Sequence, residues 1–485
     1  MAQVVFLQKD VFAKPAIMAL SACVKRAGHS CQVVVADLEK DPVEAVIQLK
    51  PDVIGFSITT SEFPFMRAMG FRLRALCEKA VIICGGAHST FYPDVIHEPY
   101  LDAVCRGEGD EAFVEFLNAL DSGSASDNMA NLWVKKQGRV IDNEVRPLVE
   151  DLDNLPFYDR EIYTCYDLYA GKGREILYHQ VVMAGRGCPK SCSFCFNKSY
   201  NSLYKGKGSV VRRRSVGYLI AELKVLKQSG KVGFITLDDD SFTLAPRSWL
   251  YDFCAAYEKE IGIPFKINST PAALDEDLVK RLRRAGCFAV KMGLESGNET
   301  IRNRMLNKNL SEQSILDAAR LLKKHGIRFQ TFNMVGCPGE NLSMAFETYA
   351  LNRRIRPDFV WCSLLNPYPG TDIYDLCMKE GLISVDCGFD ETGNSYFTGT
   401  PLALSDKRAL INLQKLMNVS VQLNFSERFL RALVKLPLSG FYSFIFGMGM
   451  TWGLIRINKG SFWSVAWLSL RYFARYNRKK EECAR

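Results

Sequence analysis

Short, continuous apolar runs alternate with amphipathic stretches over the first part of the chain. QVVFLQ from Gln3, CQVVVAD from Cys31, DVIGFSIT from Asp52, AVIICGG from Ala80 and DAVCRGEG from Asp102 read as strands. Between them, IMALSACVKRAG, PVEAVIQLK and MRAMGFRLRALCEK place apolar residues at helical spacing. Strands apolar on both faces and separated by helices predict a buried parallel sheet, here a doubly wound α/β domain over residues 1–125. DSGSASDNMA then reads as a loop, and NLWVKKQGRVIDNEV as a hairpin turning at Gln137-Gly138. Residues 126–175 are therefore expected to be hairpin and linker.

Over 176–385 a strand-then-helix unit repeats. YHQVVMAGRG, VGFITLDDD, PFKINST, FAVKMGLES, RFQTFNMVG and DFVWCSLLNPYP are the strands; Asp275 and Ser311 stand where N-caps belong, and Gly286 and Gly326 where helices stop. These units fall short of the eight of a closed barrel. They predict a partial (β/α)6 barrel of the TIM type, with its chemistry at the C-terminal strand ends. Residues 386–485 differ again and are expected to form a helical, apolar C-terminal region. No charge occurs between Lys435 and Arg456, a transmembrane-like feature. Pro437, Gly440, Gly447, Gly449 and Gly453 favour a buried or surface-docking segment instead. With the following SFWSVAWLSL, residues 436–470 suit peripheral membrane contact or a greasy substrate.

The bulk numbers narrow the function. The 485 residues are 48% hydrophobic, enough for two or three packed domains. A net charge of +9, from 62 basic and 53 acidic residues, is small for this length and argues against a nucleic-acid partner. Arg471, Arg475, Arg478, Lys479 and Lys480 make the last residues more basic, as a solvated tail or as a contact to an anionic surface. The 16 cysteines come without a secretory pattern at the N-terminus. That predicts a cytoplasmic protein, membrane-associated in the alternative, whose thiols mostly pack as small hydrophobes.

One group of cysteines has metal-ligand spacing. GRGCPKSCSFCF carries Cys188, Cys192 and Cys195 as Cys-x3-Cys-x2-Cys. Thiolates select soft centres, iron–sulfur clusters or zinc. Structural zinc needs a fourth ligand. His179 precedes the loop and the next cysteine downstream is Cys254, so none stands close in sequence. Three ligands on a cubic cluster leave one iron open.

This motif, with the aromatic Phe194 before its last cysteine and its place after the first barrel strand, resembles the signature of the radical S-adenosylmethionine (SAM) superfamily. The resemblance implies a [4Fe–4S] cluster on Cys188, Cys192 and Cys195 whose open iron chelates SAM. It implies reductive cleavage of SAM to a 5′-deoxyadenosyl radical, fed by a low-potential electron donor. It also implies SAM contacts from Phe194, from Asp239 and Asp240 in LDDDSF, from Glu295 in GLESGNET, from Lys308 in MLNKNLS and from Gly336 in NMVGCPGEN. A helix-capping cluster for the aspartates and a solvated Lys308 are the plainer alternatives.

NPYPGTDIYD, GFSITT, CGGAHST and CRGEGDEAF resemble one subgroup, which places a cobalamin-binding domain before the radical domain. Cobalamin contacts are then implied for Ser57, Thr59, Gly85, Gly86, His88 and Glu108. One departure stands out: QKDVFAKP puts Phe12 where the usual motif has its cobalt-ligating histidine, and Pro15 where it has glycine. The resemblance implies methyl transfer to an unactivated carbon of a small-molecule substrate, of which a lipid-like, terpenoid or porphyrin compound suits the apolar C-terminal region. Radical cyclisation, oxidation or rearrangement is the alternative within the class. A non-catalytic iron–sulfur electron carrier or scaffold is the alternative outside it.

Overall fold

The computed structural model describes residues 1–124, 128–166, 179–230, 232–383, 397 and 399–458. The chain divides into two units: residues 1–168, 185–214 and 367–395, and residues 169–184, 215–366 and 396–485.

In the first unit the apolar runs become β1 (Gln3–Gln8), β2 (Ser30–Val35), β3 (Val53–Ser57), β4 (Val81–Gly85) and β5 (Ala103–Cys105). They are parallel in the order β2-β1-β3-β4-β5. Val5, Leu7, Val34, Ile54, Phe56 and Ile82 bury this sheet among its helices. The helix Pro42–Gln48 starts at Asp41, whose carboxylate accepts from the Val43 and Glu44 amides, with proline at its first position. The expected hairpin forms as β6 (Leu132–Lys136) and β7 (Arg139–Asp142). It adds antiparallel to β5 and so extends the N-terminal sheet to seven strands. Chain order reverses between β1 and β3, which places the ligand crevice of a doubly wound sheet beyond their C-terminal ends.

The second unit is built on β8 (His179–Val182), β11 (Phe234–Leu237), β12 (Phe265–Ser269), β13 (Cys287–Glu295), β14 (Arg328–Val335) and β15 (Phe359–Leu364). All six are parallel and in chain order, with β8 and β15 at the two edges. This is the expected partial barrel. Ile235, Leu237, Ile267, Val290 and Met292 face outward onto helices carrying Leu223, Phe253, Leu278 and Leu322. The helix Glu276–Arg284 shows why the units repeat cleanly. Asp275 caps the Leu278 amide, acids fill the first turn and arginines the last, and Gly286 ends the unit at φ +97°.

The C-terminal helices Lys407–Gln422, Glu427–Leu433 and Ser439–Asn458 belong to this unit. The first two pack Leu413, Leu416, Met417 and Leu430 on Val360, Cys362 and Leu364 of β15. The third presents glycines inward: a Cβ on Gly453 would lie 2.0 Å from the Phe359 ring, and one on Gly449 2.8 Å from Val419. Its final turn adds Ile457 to Ala289 and Phe359. Among the described residues no helix is long and apolar enough to cross a membrane. Residues 459–470 of the apolar stretch, and the basic tail, lie outside the described residues.

Gly453→Leu is expected to force this helix off β15 and to cost about 1–3 kcal/mol by overpacking. Thermal unfolding of the variant against the parent protein measures it.

Candidate active site

The cysteine loop lies in the first unit. It is framed by a short antiparallel pair, β9 (Gly185–Arg186) and β10 (Arg212–Arg213). Cys188, Cys192 and Cys195 are thiols, the first two buried. The Cys195 amide donates to the Cys192 carbonyl at 3.2 Å, so the last two cysteines share one turn. Cys195 is the N-cap of the helix Phe196–Leu203, where the helix end favours negative charge, and Asn197 Nδ2 donates to its sulfur at 3.6 Å. Among the described residues no three His, Cys, Asp or Glu side chains are gathered to hold a single metal ion. The chemistry of the donor set suits an iron–sulfur cluster: three soft thiol ligands on one short loop, with an amide donor already aimed at one sulfur.

This loop is tied down by charge. Arg186 forms a bidentate pair with Asp110, at 2.7 and 2.9 Å. Arg212 forms another with Glu108, at 2.9 and 2.6 Å. Arg186 also approaches Glu108 at 3.2 Å. Tyr200, one turn beyond Cys195, donates to Glu108 at 3.1 Å, and the Tyr204 hydroxyl accepts from the Glu108 amide at 3.0 Å. Gly107 is required beside it, since a Cβ there would fall 1.8 Å from the Tyr204 hydroxyl. Burial opposes ionisation of Glu108, but Arg212 and Arg186 outweigh it and hold the carboxyl below its ordinary range. Asp110 is lowered in the same way, chiefly through Arg186. Glu108, expected in the cobalamin crevice, is thus bound to the strands that frame the cysteine loop.

At the β1–β3 switch point Phe12 stands 58% exposed. Lys14 donates to the Ser57 carbonyl at 2.9 Å and pairs with Glu62 at 2.5 Å. Thr59 and Glu62 form a capping box at the rim. Gly86, at φ +98°, leaves no room for a side chain: a Cβ would meet the Ile58 carbonyl at 2.6 Å. His88 is buried, sits 3.2 Å from the Thr60 hydroxyl and packs between Phe63 and Tyr92. Burial pushes its pKa down to about 4, so it is a neutral packing residue. Ser57, Thr59, Gly85 and Phe12 lie at or beside the C-terminal ends of β1, β3 and β4, and the β1 loop offers no histidine.

In the second unit the expected SAM contacts fall at the C-terminal strand ends. Asp239 is buried, and its carbonyl accepts from Asn268 at 2.7 Å. Asp240 is exposed. Asp238 pairs with Lys291 at 2.7 Å; burial raises its carboxyl, and Lys291 and Lys266 outweigh that and hold it low. Glu295 ends β13 at φ +68°, buried, with Lys308 Nζ 2.7 Å from its carboxylate. Gly293 makes that pair fit, because a Cβ there would lie 2.4 Å from the Glu295 oxygen. Glu295 and Lys308 therefore neutralise one another instead of standing as two separate contacts. Gly336, at φ +81°, donates its amide to Glu340 at 2.6 Å, and Cys337 donates at 3.1 Å to the same oxygen. Burial pushes the Glu340 carboxyl up to about 7 against the pull of these donors.

Several of these residues escaped the sequence reading. Arg186 lies within the cysteine motif itself, in the GRG before Cys188, and Arg212 in the RRR run ahead of the next helix. Gly293 and Glu340 had the signal of small and acidic residues at strand ends.

A doubly wound domain joined to a partial barrel with a three-thiol loop defines a class of iron–sulfur enzyme. The family description "Radical SAM superfamily" matches residues 182–351, and "B12 binding domain" matches residues 9–117. The chain thus carries a radical SAM domain preceded by a B12-binding domain; these domains bring a [4Fe–4S] cluster, SAM and cobalamin as cofactors. An uncharacterized methyltransferase of Pyrococcus horikoshii is 27% identical over 375 residues, 76% of this chain and 79% of the relative. An anaerobic magnesium-protoporphyrin IX monomethyl ester cyclase of Rubrivivax gelatinosus is 29% identical over 377 residues, 74% of this chain and 65% of the relative. Among solved structures, the cobalamin-dependent radical enzyme OxsB matches with a TM-score of 0.68 at 14% identity, over 94% of this chain and 72% of that one. The methyltransferase TsrM of Kitasatospora setae, with cobalamin and a [4Fe–4S] cluster bound, matches with a TM-score of 0.63 at 15% identity, over 78% and 75%. At these identities the structures establish the fold.

Glu108→Ala leaves two arginines without one partner in a desolvated site. It is expected to cost about 3–5 kcal/mol and to lower iron content per chain after anaerobic reconstitution. Thermal unfolding and iron assay measure the two effects.

Glu340 makes a second prediction. A carboxyl raised to about 7 in the folded protein, from 4.5 in the open chain, stabilises the fold at low pH and loses that contribution as pH rises through 7. Glu340→Gln is expected to flatten the fall in melting temperature across this window, read from melts at stepped pH.

Proposed function

We propose that this protein is a cobalamin-dependent radical SAM methyltransferase acting on an unactivated carbon of an apolar, natural-product-type molecule. The observation that carries the reading is the conjunction, in one chain, of the Cys188–Cys195 thiol loop with a B12-binding domain whose carboxylates bind the strands framing that loop. Loaded, the cofactors supply one electron, a hydrogen-abstracting radical and a transferable methyl group. The chain's own residues hold and shield them. Cys188, Cys192 and Cys195 ligate iron. Glu295 and Lys308 present a neutral pair at the β13 end, and the Gly336 loop offers close backbone approach. A low-potential donor is required.

The interior of the partial barrel supports an apolar substrate. On β14, Thr331 and Asn333 bond to Asn352 on the outer helix, which turns Gln330, Phe332 and Met334 inward. Trp361 of β15 stands edge-on to Phe332 and Phe397. Charge gathers on the other strands, at Asp238, Lys266, Lys291 and Glu295. Burial, with Lys291 nearby, pushes the Lys266 ammonium down to about 7. The polar half suits SAM and the aromatic half suits a greasy molecule. Cyclisation is the second reading, favoured by the cyclase relative.

After anaerobic reconstitution and reduction, the protein is expected to cleave SAM and to release a product heavier by one methylene unit. Cys192→Ala is expected to abolish both activities. An oxidised or ring-closed product without added carbon would select the second reading, and an intact cluster that leaves SAM uncut would refute both.

A further inference from the structure

We propose that the helix Ser439–Asn458 docks this protein on an anionic lipid surface. The inference goes beyond the reaction and stands independently of it. The helix is inverted relative to one that meets water. Its inward face carries Tyr442, Gly449, Gly453 and Ile457, all buried. Its outward face carries Phe441, Phe444, Met448 and Trp452, exposed by 58%, 59%, 59% and 53%. Spacings of three, four and four residues put these four on one stripe, and Leu436 and Leu438 extend it at the N-terminal end, both exposed.

The orientation is anchored from the inside. Asn418 Nδ2 donates to the Gly449 carbonyl at 2.8 Å, the Tyr442 hydroxyl to the Leu433 carbonyl at 2.7 Å, and Arg456 to Asp358 and Gln422, both at 2.9 Å. Rolling the helix to hide the stripe would break these bonds and drive large side chains into Phe359 and Val419, where only glycine fits.

Charge selects the occupant. From Arg428 to Lys480 the chain has no acidic residue in 53 positions and carries ten basic ones. Arg428 and Lys435, at the near end of the stripe, are exposed. Arg431 and Arg456 are paired with Glu427 and Asp358; an apolar stripe with aromatic residues beside the exposed bases Arg428 and Lys435 matches a bilayer interface bearing anionic headgroups. Residues 459–480 continue the same composition, with Phe462, Trp463 and Trp467 ahead of Arg471, Arg475, Arg478, Lys479 and Lys480. Protein partners that fit such a face would need a matching acidic rim, and a second copy of this positive surface would repel it.

The test is co-sedimentation of the full chain, purified anaerobically with its cluster, with vesicles of phosphatidylcholine alone or mixed with phosphatidylglycerol. The expected result is binding to the mixed vesicles, weak binding to the neutral ones, and loss of binding as salt rises. Phe444→Glu with Trp452→Glu is expected to weaken binding roughly tenfold or more while melting temperature stays at the parent value. The milder pair Phe444→Ala and Trp452→Ala serves if the charged pair fails to fold. Equal binding to both vesicles, or unchanged binding by the variants, would overturn the proposal. So would a melting temperature lowered by the alanine pair, which would mean that the chain's own residues 459–485 cover the stripe. Light scattering that shows the substitutions dissociating an oligomer, with no vesicle binding by the parent, would also overturn it.

Discussion

Two carboxylates, Asp110 buried and Glu108 partly so, set against two arginines hold the cysteine loop of the first unit in place. An iron–sulfur ligand loop is short, irregular and without regular hydrogen bonding of its own, so its shape must be imposed from outside. Here Asp110 and Glu108 impose it through Arg186 and Arg212, with planar bidentate geometry on both sides. Arginine suits the task because its guanidinium stays charged when desolvated. The same Glu108 takes a hydroxyl from Tyr200 on the helix that Cys195 caps. The strand before the first cysteine, the helix after the last, and the strand that closes the frame therefore share one electrostatic anchor. That anchor comes from the B12-binding domain, which gives the domain a structural role beside whatever it binds.

The second unit solves a related problem by pairing charge, around a buried carboxylate at Glu295 and an exposed one at Asp238. Glu295 faces Lys308, and Asp238 faces Lys291. Each pair sets opposite charges against one another at or beside the C-terminal strand ends. A glycine at position 293 is the steric condition for the first pair. Outward-facing polar residues on β14 close a buried hydrogen-bond network with Asn352, fixing which residues of that strand look inward. The barrel interior is thereby divided into a charged side and an aromatic side. The helix that packs glycines against β15 leaves its large apolar residues on the outside, so packing inside and surface chemistry outside are two consequences of one register.

Much of this was legible beforehand. The parallel strands of the two larger sheets fall on segments read as strands from the sequence; in the first sheet these are continuous apolar runs, because a strand buried on both faces must be apolar throughout and a parallel neighbour must be reached through a helix. Asp275 and Ser311 cap the helices expected of them, since capping is a local matter of one side chain and two or three amides. Cys188, Cys192 and Cys195 stood out for the same reason: a spacing on one short loop is legible without any distant partner. His88 and Glu108 were harder. Each lies at a strand end, which is all a pattern can report, while the direction of a side chain depends on what packs beside it. Phe63 and Tyr92 enclose the one, and Arg212 captures the other.

The sequence by itself determined the fold class, the strand-then-helix repeat, the three-cysteine loop and the absence of a histidine from the β1 loop. These rest on periodicity, caps and spacing, interactions that reach only a few residues along the chain. Tertiary structure alone decided that the hairpin extends the N-terminal sheet, that Glu108 and Asp110 brace the cysteine loop, that Lys308 is spoken for by Glu295, and that the last described helix turns its bulk outward. Each of those depends on groups distant in sequence meeting in a desolvated place, where the loss of water makes charge pairing and steric fit decisive.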